Sequence, residues 1–199
     1  MTMLSSLLLA LMLAAPGATT PVPVPVLQDS SPSITRDGVT LPTQTDVDGH
    51  ALVLNGTATR KKFIVKVYVA ALYLPARETD AERILGADEP RQLVIQFVHN
   101  GVDKGDLCDA LTAGTKKDTP DPSVELQAQF DTLCSYMEDV KKGDQLVLTY
   151  LPELGTRVSV KGMEKGTIES KVFADDLFKV WIGPRPGPGE GIKKQLLGL

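Results

Sequence analysis

Residues 51–74 read ALVLNGTATRKKFIVKVYVAALYL, and this stretch decides the fold. It contains two strand-like runs, 51–59 and 63–74, rich in valine, isoleucine and tyrosine. In the second run, a period of two puts Val65, Val67, Val69 and Ala71 on one face. Ile64, Lys66, Tyr68, Ala70 and Leu72 then fall on the other. Both faces are largely apolar, so this strand is expected to be central and covered on each side. Between the runs stand three consecutive bases, Arg60, Lys61 and Lys62. Arg60 follows a glycine-containing strand and precedes a two-faced apolar one, which could place its guanidinium near an apolar interior. There it could bind a carboxylate or a phenolate bidentately. The alternative is an exposed arginine in a hairpin turn, and spacing leaves both open.

The same reading extends outward. Strands are expected at 39–41, 92–98, 145–151, 156–160 and about 163–168, with turns at Gly155 and Gly162. Helices are expected at 80–86, 103–114, 123–140 and 170–182, and a short one at the C-terminus. Ser123 is a good N-cap, and Leu126, Phe130, Leu133, Cys134 and Met137 form a helical stripe. In the last long helix Phe173, Leu177, Val180 and Trp181 face inward, while Asp175 and Asp176 face solvent by phase. Sequential strands with short connections imply antiparallel pairing. The segregated order implies an α+β fold, one antiparallel sheet with helices packed on one face.

The chain has 199 residues, 42% hydrophobic and 23% charged, with a net charge of -4. That is ordinary globular usage. A nucleic-acid binder would show a basic excess, so no nucleic-acid partner is expected. There are two histidines, His50 and His99, and no C-x-x-C, so neither a metal nor a cofactor is expected. No G-x-S-x-G, P-loop or strand-linked G-x-G-x-x-G is present. Both histidines read as turn residues. Asn55-Gly56-Thr57 fits the glycosylation pattern but lies inside a strand pair.

Residues 1–18 carry an apolar run, Leu7 to Ala15, followed by small residues. This is the pattern of a signal peptide, and it is too short to span a bilayer. The expected location is periplasmic or secreted, with no integral membrane segment after cleavage. Residues 19–35, opening on PVPVPV from Pro21, read as an extended proline-rich tether, and 36–199 as the folded domain. The two cysteines, Cys108 and Cys134, lie on inward or inter-helix faces of consecutive helices joined by a short proline-containing linker. Such helices are antiparallel neighbours, the cysteines could come level, and an oxidising compartment would join them.

Leu52 to Leu74 carries the pattern L-x-L-x-G-x-x-x-R followed by K-V-Y-V-A-x-L-Y-L, with Leu54 and Gly56 in its first half. Leu146 to Pro152, Gly166 to Lys171 and Phe178 to Gly183 match later blocks in order. In these the chain resembles the chalcone isomerase family, and especially its bacterial exported chalcone isomerase-like branch, over about residues 36–198. The resemblance implies an open-faced β-sandwich, a large antiparallel sheet with a layer of helices. The plant enzymes close a phenolate onto an enone, and positive charge lowers that barrier. Arg60 matches their arginine, and Tyr68 matches the hydroxyl residue that polarises the ketone. Val102 stands where the enzymes carry a tyrosine, Asp109 at best where they carry an asparagine, and Val180 where they carry a threonine or serine. Losing polar contacts while keeping the arginine is the pattern of non-catalytic members, some of which resemble fatty-acid-binding proteins.

Three functions stand: a non-catalytic binder of a small amphipathic or phenolic acid, an intramolecular lyase of chalcone isomerase type, and an accessory or structural exported protein with no ligand. The first predicts a pocket lined by Arg60, Tyr68, Val65, Phe97, Val102 and Val180. For the second, Arg60 and Tyr68 are the candidate catalytic residues.

Overall fold

The computed structural model describes residues 32–199. The proposed signal segment 1–18 and most of the tether lie outside the described residues. A hairpin of β1 (Ser33–Arg36) and β2 (Val39–Pro42) opens the fold, so regular structure begins at Ser33, inside the stretch 19–35 read as tether. There follow β3 (Gln44–Val47), β4 (His50–Lys62), β5 (Val65–Leu74), α1 (Ala81–Gly86), β6 (Arg91–Phe97), α2 (Lys104–Asp118) and α3 (Val124–Tyr136). The chain then forms β7 (Gln145–Leu151), β8 (Gly155–Val160), β9 (Met163–Ile168), α4 (Lys171–Ile182) and α5 (Glu190–Leu196). Strands β3 to β9 form one seven-stranded sheet in sequence order, every neighbour antiparallel. The fold is α+β, as expected from the segregated order of strands and helices.

Two apolar clusters cover the sheet. The larger joins Ala70, Leu72, Leu93, Ile95 and Leu148 to helix residues such as Leu111, Phe130, Leu133, Phe173 and Leu177. The smaller lies on the opposite face, where Leu52, Leu54, Val69 and Tyr73 meet Val39 and Leu41 of β2. The Tyr73 hydroxyl donates to Pro42 O at 2.9 Å, tying the hairpin down. Strand β5 is therefore covered on both faces.

The helices begin where capping residues dictate. The Ser123 hydroxyl accepts from Leu126 N at 3.1 Å, Asp103 from Asp106 N at 2.9 Å, and Ser170 from Phe173 N at 3.1 Å, each satisfying a first-turn donor. Helix α2 runs to Asp118, past the expected end at 114, because no proline intervenes before Pro120. Helix α3 stops at Tyr136 rather than 140: the chain extends so that Val140 pairs with Val102.

Helix α4 corrects one expectation. Asp175 and Asp176 do not simply face solvent. Asp176 is buried, accepting from Thr119 Oγ1 at 3.1 Å and Lys179 Nζ at 2.6 Å. Asp175 pairs with Arg91 and accepts from Lys171 Nζ at 2.7 Å. The cause is the wide buried arc of α4, which the C-terminal end of α2 and the start of β6 flank. Arg91 is only 1% exposed and lies between the rings of Tyr150 and Phe178, at 4.6 and 4.9 Å. Asn55, likewise, is buried and bonded to Glu78 O and Leu196 O, each at 2.9 Å. Its burial argues against glycan attachment in the folded chain.

Candidate functional site

The site is built on β4 and β5. Their two-residue turn, Phe63–Ile64, sets Lys62 opposite Val65 and Lys61 opposite Lys66. An unbroken register would then pair Arg60 with Val67. A bulge intervenes: Val67 is the extra residue, and Arg60 faces Tyr68 instead. Direct cross-strand partners have Cβ atoms about 5 Å apart on one face. The bulge thus places guanidinium and phenol side by side. A second bulge at Asn55 inverts the alternation of β4, so Leu52 and Leu54 serve the smaller cluster while Ala58 serves the helix side.

Arg60 and Tyr68 border a cavity of about 490 Å³ between the sheet and the helices. Ile95, Phe97 and Leu146 supply its floor, Leu107, Leu111 and Gly114 of α2 one wall, and Val180 and Trp181 of α4 another. Gly114 is required where it stands: a Cβ would meet Val180 Cγ1 at 2.7 Å. Val102 also borders the cavity. Of the residues expected to line it, the structure gathers Arg60, Tyr68, Phe97, Val102 and Val180. Val65 does not belong: it lies beyond the Val67 bulge, next to the turn, and is 41% exposed. Asp109 is on the exposed side of α2 and does not line the cavity.

The polar equipment is sparse and directional. Tyr68 Oη accepts from Trp181 Nε1 at 3.1 Å, and the phenol ring meets Phe97 edge-on at 6.2 Å. Burial pushes the Tyr68 hydroxyl up to about 12, against the opposing pull of the Trp181 N–H and the Arg60 charge. The hydroxyl is therefore protonated at neutral pH. With Trp181 donating to its oxygen, its proton is left to be donated elsewhere. Arg60 Nη1 donates to Pro188 O at 3.0 Å, and Arg60 forms no ion pair among the described residues. Lys62, His99 and Lys117 also border the cavity, against a single lining carboxylate among the described residues, Asp106. The opening favours an anion, and the interior favours hydrocarbon.

His99, read as an ordinary turn residue, thus stands at the cavity, as do Lys62, Lys117 and the chain around Pro188. Lys62 and His99 arrive at the ends of β4 and β6, whereas Lys117 and the chain around Pro188 carried no sequence signal, because α2 and the loop after α4 bring them there from distant parts of the chain. Trp181 was legible as an inward residue but not as the partner of Tyr68. The α2 wall is braced by the disulfide Cys108–Cys134, which links α2 to α3 with a Cα–Cα distance of 5.1 Å.

Comparison with known proteins agrees with this architecture. The family described as chalcone isomerase-like matches residues 33–198. No curated protein matches the chain in sequence. Among solved structures, the chain is similar to the crystal structure of an Arabidopsis thaliana fatty-acid binding protein. The TM-score is 0.66 and the identity 14%, over 83% of this chain and 95% of that one. At that identity the likeness concerns the fold alone.

Proposed function

We propose that this chain, which belongs to the chalcone isomerase-like family, is an exported binder of a small amphipathic acid and does not transform it. The observation that carries the reading is the cross-strand pair Arg60–Tyr68 at an apolar cavity, with donors left over on both side chains. A carboxylate there would accept from the guanidinium and from the phenol. These charge-assisted hydrogen bonds would form in a partly desolvated site, where they are strong. The hydrocarbon tail would lie along Ile95, Phe97, Leu111 and Val180. A cavity of about 490 Å³ is of the size that holds a small ligand. The fatty-acid binding of the Arabidopsis protein of similar fold supports the same class of ligand.

Two features weigh against turnover. Val102 and Val180, at positions where the resemblance sets polar contacts, offer only hydrocarbon to the cavity. Lost transition-state donors cost roughly 100-fold each or more. Export is supported by the apolar run Leu7 to Ala15 and by the disulfide, a bond of oxidising compartments.

The test is titration with a fluorescent fatty acid. Arg60→Ala should weaken binding by about 1.5–3 kcal/mol, the scale of a charged hydrogen bond, and Tyr68→Phe by about 0.5–1.5 kcal/mol. Binding by Arg60→Ala equal to wild type would remove the head-group assignment. Stereoselective cyclisation of a 2′-hydroxychalcone, well above its spontaneous rate, would overturn the non-catalytic reading.

A further inference from the structure

The described fold contains four two-residue hairpin turns. Three are X-Gly: Asp37–Gly38, Asp48–Gly49 and Lys161–Gly162, with both residues at positive φ. That is the ordinary chemistry of such turns, since glycine and asparagine or aspartate tolerate the left-handed region. The fourth, between β4 and β5, is Phe63–Ile64. Phe63 takes φ 56°, a conformation that a bulky residue seldom adopts. Both residues are 93% exposed, and Val65 beside them is 41% exposed. The turn therefore forgoes the usual residues and leaves two large apolar groups in water.

Around this apex the charge has one sign. Residues 60–66 contain Arg60, Lys61, Lys62 and Lys66 and no acid, in a chain whose net charge is -4. Lys66 pairs with Asp37 at 2.5 Å, whereas Lys61 and Lys62 are exposed and make no ion pair among the described residues. Strand geometry of about 3.3 Å per residue sets these lysines roughly 3–7 Å behind the apex. That offset is on the scale of the roughly 5–10 Å by which an interfacial element buries its apolar groups. Lys62 also borders the cavity, so the apex stands beside its opening.

We propose that the β4–β5 hairpin is a membrane-docking wedge: Phe63 and Ile64 enter the acyl boundary of an anionic lipid surface while Lys61 and Lys62 engage its phosphates. A protein partner fits less well, because two convex side chains bury far less than the roughly 1,000 Å² a specific interface requires. This goes beyond the pocket reading and holds whatever the pocket contains.

The experiment is flotation of the full chain with vesicles of phosphatidylcholine, with or without about one third phosphatidylglycerol. Wild type should float with the anionic vesicles and much less with the neutral ones. Lys61→Glu/Lys62→Glu should reduce binding at least tenfold, since each basic residue near such a surface contributes about fivefold. Phe63→Gly/Ile64→Ser installs ordinary turn chemistry, so it should melt at the same or a higher temperature. It should still lose roughly tenfold or more in vesicle binding, because two apolar side chains no longer leave water. Fluorescent fatty-acid binding in solution should be unchanged in that variant, which separates this proposal from the pocket. Absence of wild-type binding to anionic vesicles would overturn it, as would wild-type binding by the Gly/Ser variant. Concentration-dependent dimerisation without vesicles, abolished by the same variant, would also overturn it in favour of a contact between two copies.

Discussion

Helix α2 forms a wall of the cavity, yet it contributes little to the core: its buried residues are Leu111, Gly114 and Thr115, against eight on α4. Cys108–Cys134 ties it covalently to α3. The bond closes a loop of sequence separation 26. In the chain-entropy account this restricts the unfolded chain by about 3.5 kcal/mol at 25 °C. Replacing both cysteines by alanine should therefore lower stability by that amount. For a domain of this size each kcal/mol is worth roughly 2–4 °C, so the melting midpoint should fall by about 7–14 °C. Chemical denaturation separates the causes: a bond acting on the unfolded state should leave a larger m-value in the variant, whose unfolded chain exposes more surface. Reduction of the wild type should reproduce the change. A midpoint shift below about 2 °C would refute the reasoning and assign the fixing of α2 to packing, chiefly Gly114 against Val180. Reactive thiols in the denatured, unreduced protein would refute the bond itself.

Two other perturbations follow from the same geometry. Burial pushes the hydroxyls of Tyr68, Tyr73 and Tyr150 each up to about 12. A raised folded-state value gives stability that is complete below the unfolded value, about 10, and is lost as pH rises through about 12. Urea midpoints should therefore be level below about pH 10 and fall above it, with less of a fall in Tyr73→Phe. A flat profile to about pH 12 would contradict this. Gly56→Ala should cost about 1–3 kcal/mol by overpacking, because its Cβ would meet Gln195 O at 2.2 Å and Leu196 O at 2.5 Å. Denaturation measures the loss, and faster proteolysis of α5 would locate it.

The core of the fold was legible because its strands bury side chains. QLVIQFV and QLVLTYL carry enough branched and aromatic residues to be read directly, and they became β6 and β7. The β3 edge of the large sheet and the first strand of the opening hairpin were not legible, although the other edge, β9, was read at about 163–168. QTDV of β3 and SITR of β1 are mostly exposed, and their pairing is fixed by hairpin turns and backbone hydrogen bonds rather than by a hydrophobic pattern. Helix α3 failed at its end for the opposite reason. Met137 and Val140 continue the apolar spacing and are both buried, but Val140 reaches the core from an extended segment paired with Val102. Periodicity reports that a residue is inside, not which backbone carries it there.

The site shows where that limit bears on function. Strict alternation puts Val65, Val67 and Val69 on one face, and a regular hairpin would set Arg60 against Val67. One inserted residue changes both results. With Val67 in the bulge, Arg60 faces Tyr68, Val67 borders the cavity with Tyr68 while Val69 fills the opposite cluster, and Val65 is left at the exposed tip. A bulge has no compositional signature in VKVYV, since each residue there suits a regular strand. It sits where the tertiary contacts begin: Tyr68 finds the Trp181 indole and the Phe97 ring on the helix side, while Val69 and Ala71 fill the opposite cluster. The same insertion divides the hairpin into two regions. On the body side of Val67 the two strands build the pocket pair, and on the turn side they carry exposed lysines and an apolar apex. A cavity suited to an amphipathic acid and a tip suited to a lipid surface are thus parts of one hairpin, joined through a single irregular residue.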